Sequence, residues 1–209
     1  MSTWTAFYIN SDNKEAVINQ LQNLSTIQDF VIGDYPSDLY DNYLADDTSS
    51  PTYLALAETS PNWITVRHNS FSYLSDWCEI ISKHLATKVI VTIAQSVSDF
   101  YYFSMYDNGQ KVREISVCYS DDSNPINWGN KFAFENEQPG KKEEYEGEIE
   151  YYFGFEEIED YCKHFELTIQ TDYDNTNWFV LKSGIKSKTI KDVVKQQIAN
   201  SEKPWWKFW

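Results

Sequence analysis

The chain has 209 residues, 42% of them hydrophobic and 17% aromatic, which excludes a disordered polymer and allows one large domain or two small ones sharing a core. Its 32 acidic side chains against 17 basic give a net charge of -15. A field of that sign repels phosphate backbones and argues against nucleic-acid binding by phosphate neutralisation.

The N-terminal stretch Met1 to Ile9 has neither the basic region nor the apolar core of a signal peptide. No run of about 18 apolar residues is present, so no membrane span is expected and the chain reads as cytoplasmic. Trp4 to Ile9 has strand character. Asp12 and Glu15 stand three apart like a capping box, and Val17, Ile18, Leu21 and Leu24 follow at helical spacing. Asp29 to Gly33 returns as a strand. A polar loop from Asp34 to Ser50 then carries Asp34, Asp38, Asp41, Asp46 and Asp47, interrupted by Tyr35, Leu39, Tyr40, Tyr43 and Leu44, which suit a helical turn. Thr52 to Ala57 closes this first β-α-β-β unit, residues 1–60.

A second unit, residues 61–122, opens at Trp63. Trp4 is followed six residues later by Asn10-Ser11, and Trp63 six residues later by Asn69-Ser70. Phe71, Leu74, Trp77, Cys78, Ile81 and Leu85 form the stripe of a helix. Strands are expected at 88–94, 99–106 and 112–119. Asp107-Asn-Gly109 joins the last two, because Asn-Gly tolerates the positive φ angles of a tight hairpin. The shared openings and matching element order suggest a degenerate internal repeat. The expected fold is α+β: two β-α-β-β pseudo-repeats forming a largely antiparallel sheet with helices on one face, plus a C-terminal helix and aromatic tail.

The third segment, residues 123–181, packs on the same body. A strand is expected at 128–134, an acidic stretch from Glu135 to Glu150 with a turn at Pro139-Gly140, and a helix bearing Phe155, Ile158, Tyr161, Cys162 and Phe165. Glu156, Glu157, Glu159 and Asp160 suit the solvated first turn of that helix. A final hairpin pairs 167–169 with 178–181. Its joint, Asp172 to Asn177, lacks the Gly and Glu of a calcium loop.

Residues 1–181 carry 10 basic and 30 acidic side chains, whereas 182–209 carry seven lysines against Asp192 and Glu202. An amphipathic helix beginning near Thr189 leads into Lys203-Pro-Trp-Trp-Lys-Phe-Trp209. This cationic, tryptophan-tipped tail could dock on the acidic body, contact a partner or second copy, or lie on a membrane surface. The anionic body weighs against the last.

No phosphate-cradling glycine loop, nucleophile elbow or zinc-protease motif occurs. Cys78, Cys118 and Cys162 are too few and too dispersed for a disulfide framework, and Cys162 and His164 lack a second pair of metal ligands. His84 and His164 fall at helix C-termini, where a histidine suits the dipole. The expectation is therefore no catalytic residue, no cofactor and no metal. The chain carries two arginines, Arg67 and Arg113, each expected to anchor an internal carboxylate or to bind an anionic ligand or a partner's acid.

These features suit a non-enzymatic interaction protein, of the bacterial immunity or inhibitor kind, that neutralises a basic toxin or nuclease. The candidate partner-binding residues are Asp34, Asp38, Tyr40, Asp41, Tyr43, Asp46, Asp47, Arg67, Arg113, Trp205, Trp206 and Trp209. The alternative is a small-ligand-binding domain or enzyme with its site in a groove of the sheet. Homo-oligomerisation through the tail is a further expectation.

Overall fold

The computed structural model describes residues 3–25, 27, 29–33, 38–45, 50–120, 124–145, 147–170, 175–183 and 189–201. In chain order these form β1 (Thr3–Asn10), α1 (Lys14–Leu24), β2 (Asp29–Gly33), a single 3-10 turn (Tyr40–Asn42), β3 (Tyr53–Ser60), β4 (Trp63–His68) and α2 (Ser75–His84). They continue with β5 (Lys88–Gln95), β6 (Phe100–Asp107), β7 (Gln110–Cys118), β8 (Ile126–Gly129), β9 (Lys141–Tyr145), β10 (Glu148–Tyr152), α3 (Phe155–Lys163), β11 (Trp178–Lys182) and α4 (Ile190–Ser201). No helix among the described residues is long and apolar enough to cross a membrane.

The fold is α+β, built on an antiparallel nine-stranded sheet of order β2-β11-β3-β4-β1-β5-β6-β7-β8, with β9 and β10 forming a separate hairpin. Alternation along the central strands divides the core between the two faces. Phe7, Ile9, Val66, Val89 and Val91 meet Val17 and Leu21 of α1 and Trp77, Cys78 and Ile81 of α2 on one face. Ala6, Tyr8, Ile90, Phe103 and Ile115 meet Ile158, Tyr161 and Cys162 of α3, with Phe153, Leu167 and Ile169, on the other. The helices of the first two units, α1 and α2, share one face, and a helix on the opposite face is the addition the structure makes. Strands apolar on both sides need two covers, and α3 supplies the second.

The two openings share local geometry. Asn10 lies opposite Trp63 and Ala6 opposite Arg67 in the β1–β4 pair. Ser11 Oγ accepts from the Asn13 N–H at 3.1 Å, and Ser70 Oγ accepts from the Ser72 N–H at 3.1 Å. Strand placement then diverges: β5 pairs with β1, whereas β2 lies at the sheet's edge beyond β11.

Several local expectations shift. The α1 cap is Asn13, not Asp12, its side chain accepting from the Ala16 N–H. The strand expected at 128–134 is β8, and Phe132 and Phe134 leave the sheet to pack against the α3 core. The acidic stretch from 135 holds the β9–β10 hairpin. Residues 167–169 form no strand, and β11 pairs with β2 and β3 instead. Glu157 is buried, its carboxylate accepting from the Gly154 N–H at 2.8 Å to close the α3 N-terminus.

The β6–β7 turn follows expectation, with Asn108 and Gly109 at φ 48° and 77°. A Cβ on Gly109 would lie 2.6 Å from Lys83 Cβ, and the Gly109 N–H donates to Ser82 Oγ. Gly109→Ala should therefore cost about 1–2 kcal/mol. Chemical denaturation checks this, and an unchanged midpoint would show that the turn relaxes freely.

Candidate functional site

Acidic residues of the 38–44 segment meet basic residues near the C-terminus across a cavity of about 580 Å³. Asp38, Asp41, Asn42 and Tyr53 line one side; Lys182, Lys191 and Lys195 line the other. The segment owes its position to Asn69, directly after β4. Asn69 Oδ1 accepts from the Thr52 and Tyr53 N–H groups at 3.0 and 3.1 Å, while its Nδ2 donates to the Asn42 carbonyl at 2.8 Å and to Thr52 Oγ1 at 3.0 Å. The Leu44 N–H donates to the Asn69 carbonyl at 2.8 Å, and Asn42 Nδ2 donates to the Asp38 carbonyl at 2.6 Å. One buried amide thus ties the acidic segment to the sheet.

Asp38 takes the Lys182 ammonium on both carboxylate oxygens, at 3.0 and 2.7 Å, and accepts the Tyr53 hydroxyl at 2.8 Å. The same ammonium lies 4.4 Å from the centre of the Tyr53 ring. Burial works to raise the Asp38 pKa, but the bonds from Lys182 and Tyr53 outweigh it and hold the carboxyl below its ordinary value. Lys191 Nζ donates to Asp41 Oδ2 at 2.7 Å. Thr189 bridges to Leu44, and Thr189 and Asp192 cap α4 reciprocally. Both ion pairs are roughly half exposed, so each contributes about 0–1 kcal/mol.

The remaining candidate residues divide by position. Tyr43 is buried, its hydroxyl 3.0 Å from Thr5 Oγ1 and its ring stacked on Phe71, so it anchors the segment. Tyr40 starts the 3-10 turn. Asp34, Asp46, Asp47, Trp205, Trp206 and Trp209 lie outside the described residues. Arg67 is buried with its guanidinium 4.3 Å over the Trp4 ring. Arg113 is wholly buried and meets the Glu135 carboxylate with two parallel bonds of 2.9 and 2.7 Å. Both arginine side chains lie in the interior rather than on the surface. Arg113 therefore fits the internal-carboxylate expectation, and a contact with an outside acid would need it to leave Glu135.

A larger open groove, about 1,040 Å³, runs beside the start of α2 and is lined by Phe71, Tyr73, Trp77, Phe100, Asp76 and Gln95. Leu44 borders both cavities. No group of three or more His, Cys, Asp or Glu side chains suited to a metal occurs among the described residues. Burial raises the Cys78 and Cys162 thiol pKa values well above the ordinary range, removing the thiolate that nucleophilic chemistry needs. His84 bonds Gln20 through Nδ1, and His164 stacks on Phe134 at 3.8 Å.

Sequence reasoning singled out Asp38 and Asp41 but missed Tyr53 and Asn69. Asn69 had a visible signal, its place in the repeated Trp-x5-Asn-Ser opening. Tyr53 had none, because it reads as one more strand aromatic. No protein-family model matches this chain, and the comparisons with curated proteins and with solved structures returned no match.

Proposed function

We propose that this chain is a non-enzymatic acidic interaction protein that binds a basic protein partner, in the manner of an immunity or inhibitor protein that neutralises a basic toxin or nuclease. The observation that carries the reading is the grip on Lys182, where a carboxylate, a phenol hydroxyl and an aromatic face converge on one ammonium. Chemistry that holds a lysine of this chain suits a lysine of another. Glu143, Glu144, Glu148 and Glu150 of the exposed β9–β10 hairpin extend the anionic surface and would speed association with a cationic partner. The free thiols suit a reducing compartment, in line with a cytoplasmic setting.

A lysine-rich peptide is the first probe. Its binding constant should fall steeply with rising salt, and Asp38→Asn with Asp41→Asn should together weaken it about tenfold, or about 1.4 kcal/mol. Binding indifferent to salt and to both substitutions would refute the proposal.

The aromatic lining of the larger groove favours a second reading, a small-ligand-binding domain. Thermal-shift screening against a metabolite mixture tests it: stabilisation abolished by Trp77→Ala supports this reading, and no shift from any compound counts against it.

A further inference from the structure

We infer that the start of α4 is an internal competitor for the acidic groove, and that the partner engages it with a lysine-bearing segment that takes the place of α4. This rests on the groove being the binding site. The two lysines facing Asp38 and Asp41 are held differently. Lys182 belongs to β11, with sheet neighbours on both sides, so its backbone is fixed and only its half-exposed ammonium can swing off Asp38 to admit a partner's lysine. Lys191 belongs to α4, whose first turn meets the body through the Thr189–Leu44 bridge and the Lys191–Asp41 pair.

Those contacts are of the exchangeable kind. Lys191 and Asp41 are 49% and 62% exposed, where water and salt weaken an ion pair. The apolar α4 positions Val194 and Ile198 are 45% and 52% exposed, so these two side chains bury little area against the body. Lys195 lines the same groove one turn beyond Lys191 and gives α4 a second cation there. A tethered segment of this kind competes at an effective concentration on the order of millimolar. A free basic segment must overcome that competition, which sets a threshold for binding and rejects weakly basic chains. The chemistry of the occupant also names the partner: ammonium groups about one helical turn apart, carried on a segment free to lie against Leu44 and Asp41.

The test uses the full-length protein and a fluorescein-labelled lysine-rich peptide, read by anisotropy at low salt. Lys191→Gln with Lys195→Gln removes two positive charges from the groove wall. Lys88→Gln with Lys142→Gln removes two exposed charges elsewhere, on β5 and β9, and reports the general electrostatic gain. Tightening by the α4 pair at least threefold beyond that of the control pair is expected. Equal tightening by the two pairs overturns the competitor, while continued weakening by Asp38→Asn and Asp41→Asn preserves the groove as the binding site. Absence of binding to every variant overturns both.

Discussion

Glu135→Ala should destabilise the protein by about 3–5 kcal/mol, a large fraction of the roughly 5–15 kcal/mol that holds a typical domain folded. The cost comes from what remains. Arg113 is fully buried, and beyond the two Glu135 bonds it donates to the Trp128 carbonyl at 2.6 Å and Asn127 Oδ1 at 2.8 Å. Without the carboxylate the guanidinium keeps those partners but has no countercharge, and solvent cannot reach it. Glu135 also accepts from the Phe132 N–H at 2.9 Å, so its loss frees the turn that carries Phe132 and Phe134 to the α3 face. The double substitution Arg113→Met with Glu135→Leu removes both charges and should recover most of the loss, as buried pairs replaced by apolar groups often do. Urea unfolding of the three proteins decides the matter. A Glu135→Ala midpoint close to that of the parent would mean that water reaches the pair after all.

Acidification should destabilise the protein through His68, and His68→Leu should flatten that response. The imidazole is completely buried among the apolar groups of the α1–α2 face, beside Phe7, and neither ring nitrogen lies in hydrogen-bonding geometry with a partner. Burial lowers its pKa first and the Arg67 charge second, opposed by the nearby Ser70 backbone, from 6.5 to about 3. The folded state therefore binds fewer protons than the unfolded chain between those values. Its stability is complete above about pH 6.5 and falls as the pH drops toward 3, by roughly 3 kcal/mol at pH 4.5 and about 5 kcal/mol at the limit. Asp38, held below its ordinary pKa, adds a loss of the same direction at the acid end. Denaturation midpoints across pH 4–7 provide the measurement. Parallel pH profiles for parent and His68→Leu would show that His68 is not the responsible group.

Local features were legible in the sequence, and long-range ones were not. The helices α1, α2 and α3 were visible in their apolar spacing, and the β6–β7 hairpin in Asn108-Gly109. The two-faced burial of β5 was also present, in the nearly unbroken apolar run from Val89 to Ala94, yet alternation alone did not say what would cover the second face. The place of β11 left no local trace. Its register with β2 and β3 depends on partners more than 100 residues away, and Trp178 to Leu181 would suit any sheet edge. At the site, opposed charges marked Asp38 and Asp41 on one side and the lysine-rich terminus on the other. The Tyr53 ring that completes the Lys182 grip became visible only through the β3–β11 pairing, which sets Lys182 against Tyr53.

The insertion of β11 also governs when the molecule can be finished. β2 and β3 are near neighbours in the chain, but in the sheet a strand beginning at residue 178 separates them. A chain emerging from the ribosome can assemble β1, β4, β5, β6 and β7 from its first 118 residues. β3 must hold one unpaired edge, and β2 must wait without a sheet partner, until Trp178 to Lys182 have been made. Closure then requires pairing across the longest sequence separations in the sheet, which slows folding and leaves an edge open to wrong partners meanwhile. The lysine grip forms in the same event, because Lys182 is the last residue of the inserted strand. The Lys182–Asp38 pair is thus absent from any intermediate in which β11 has not yet entered the sheet.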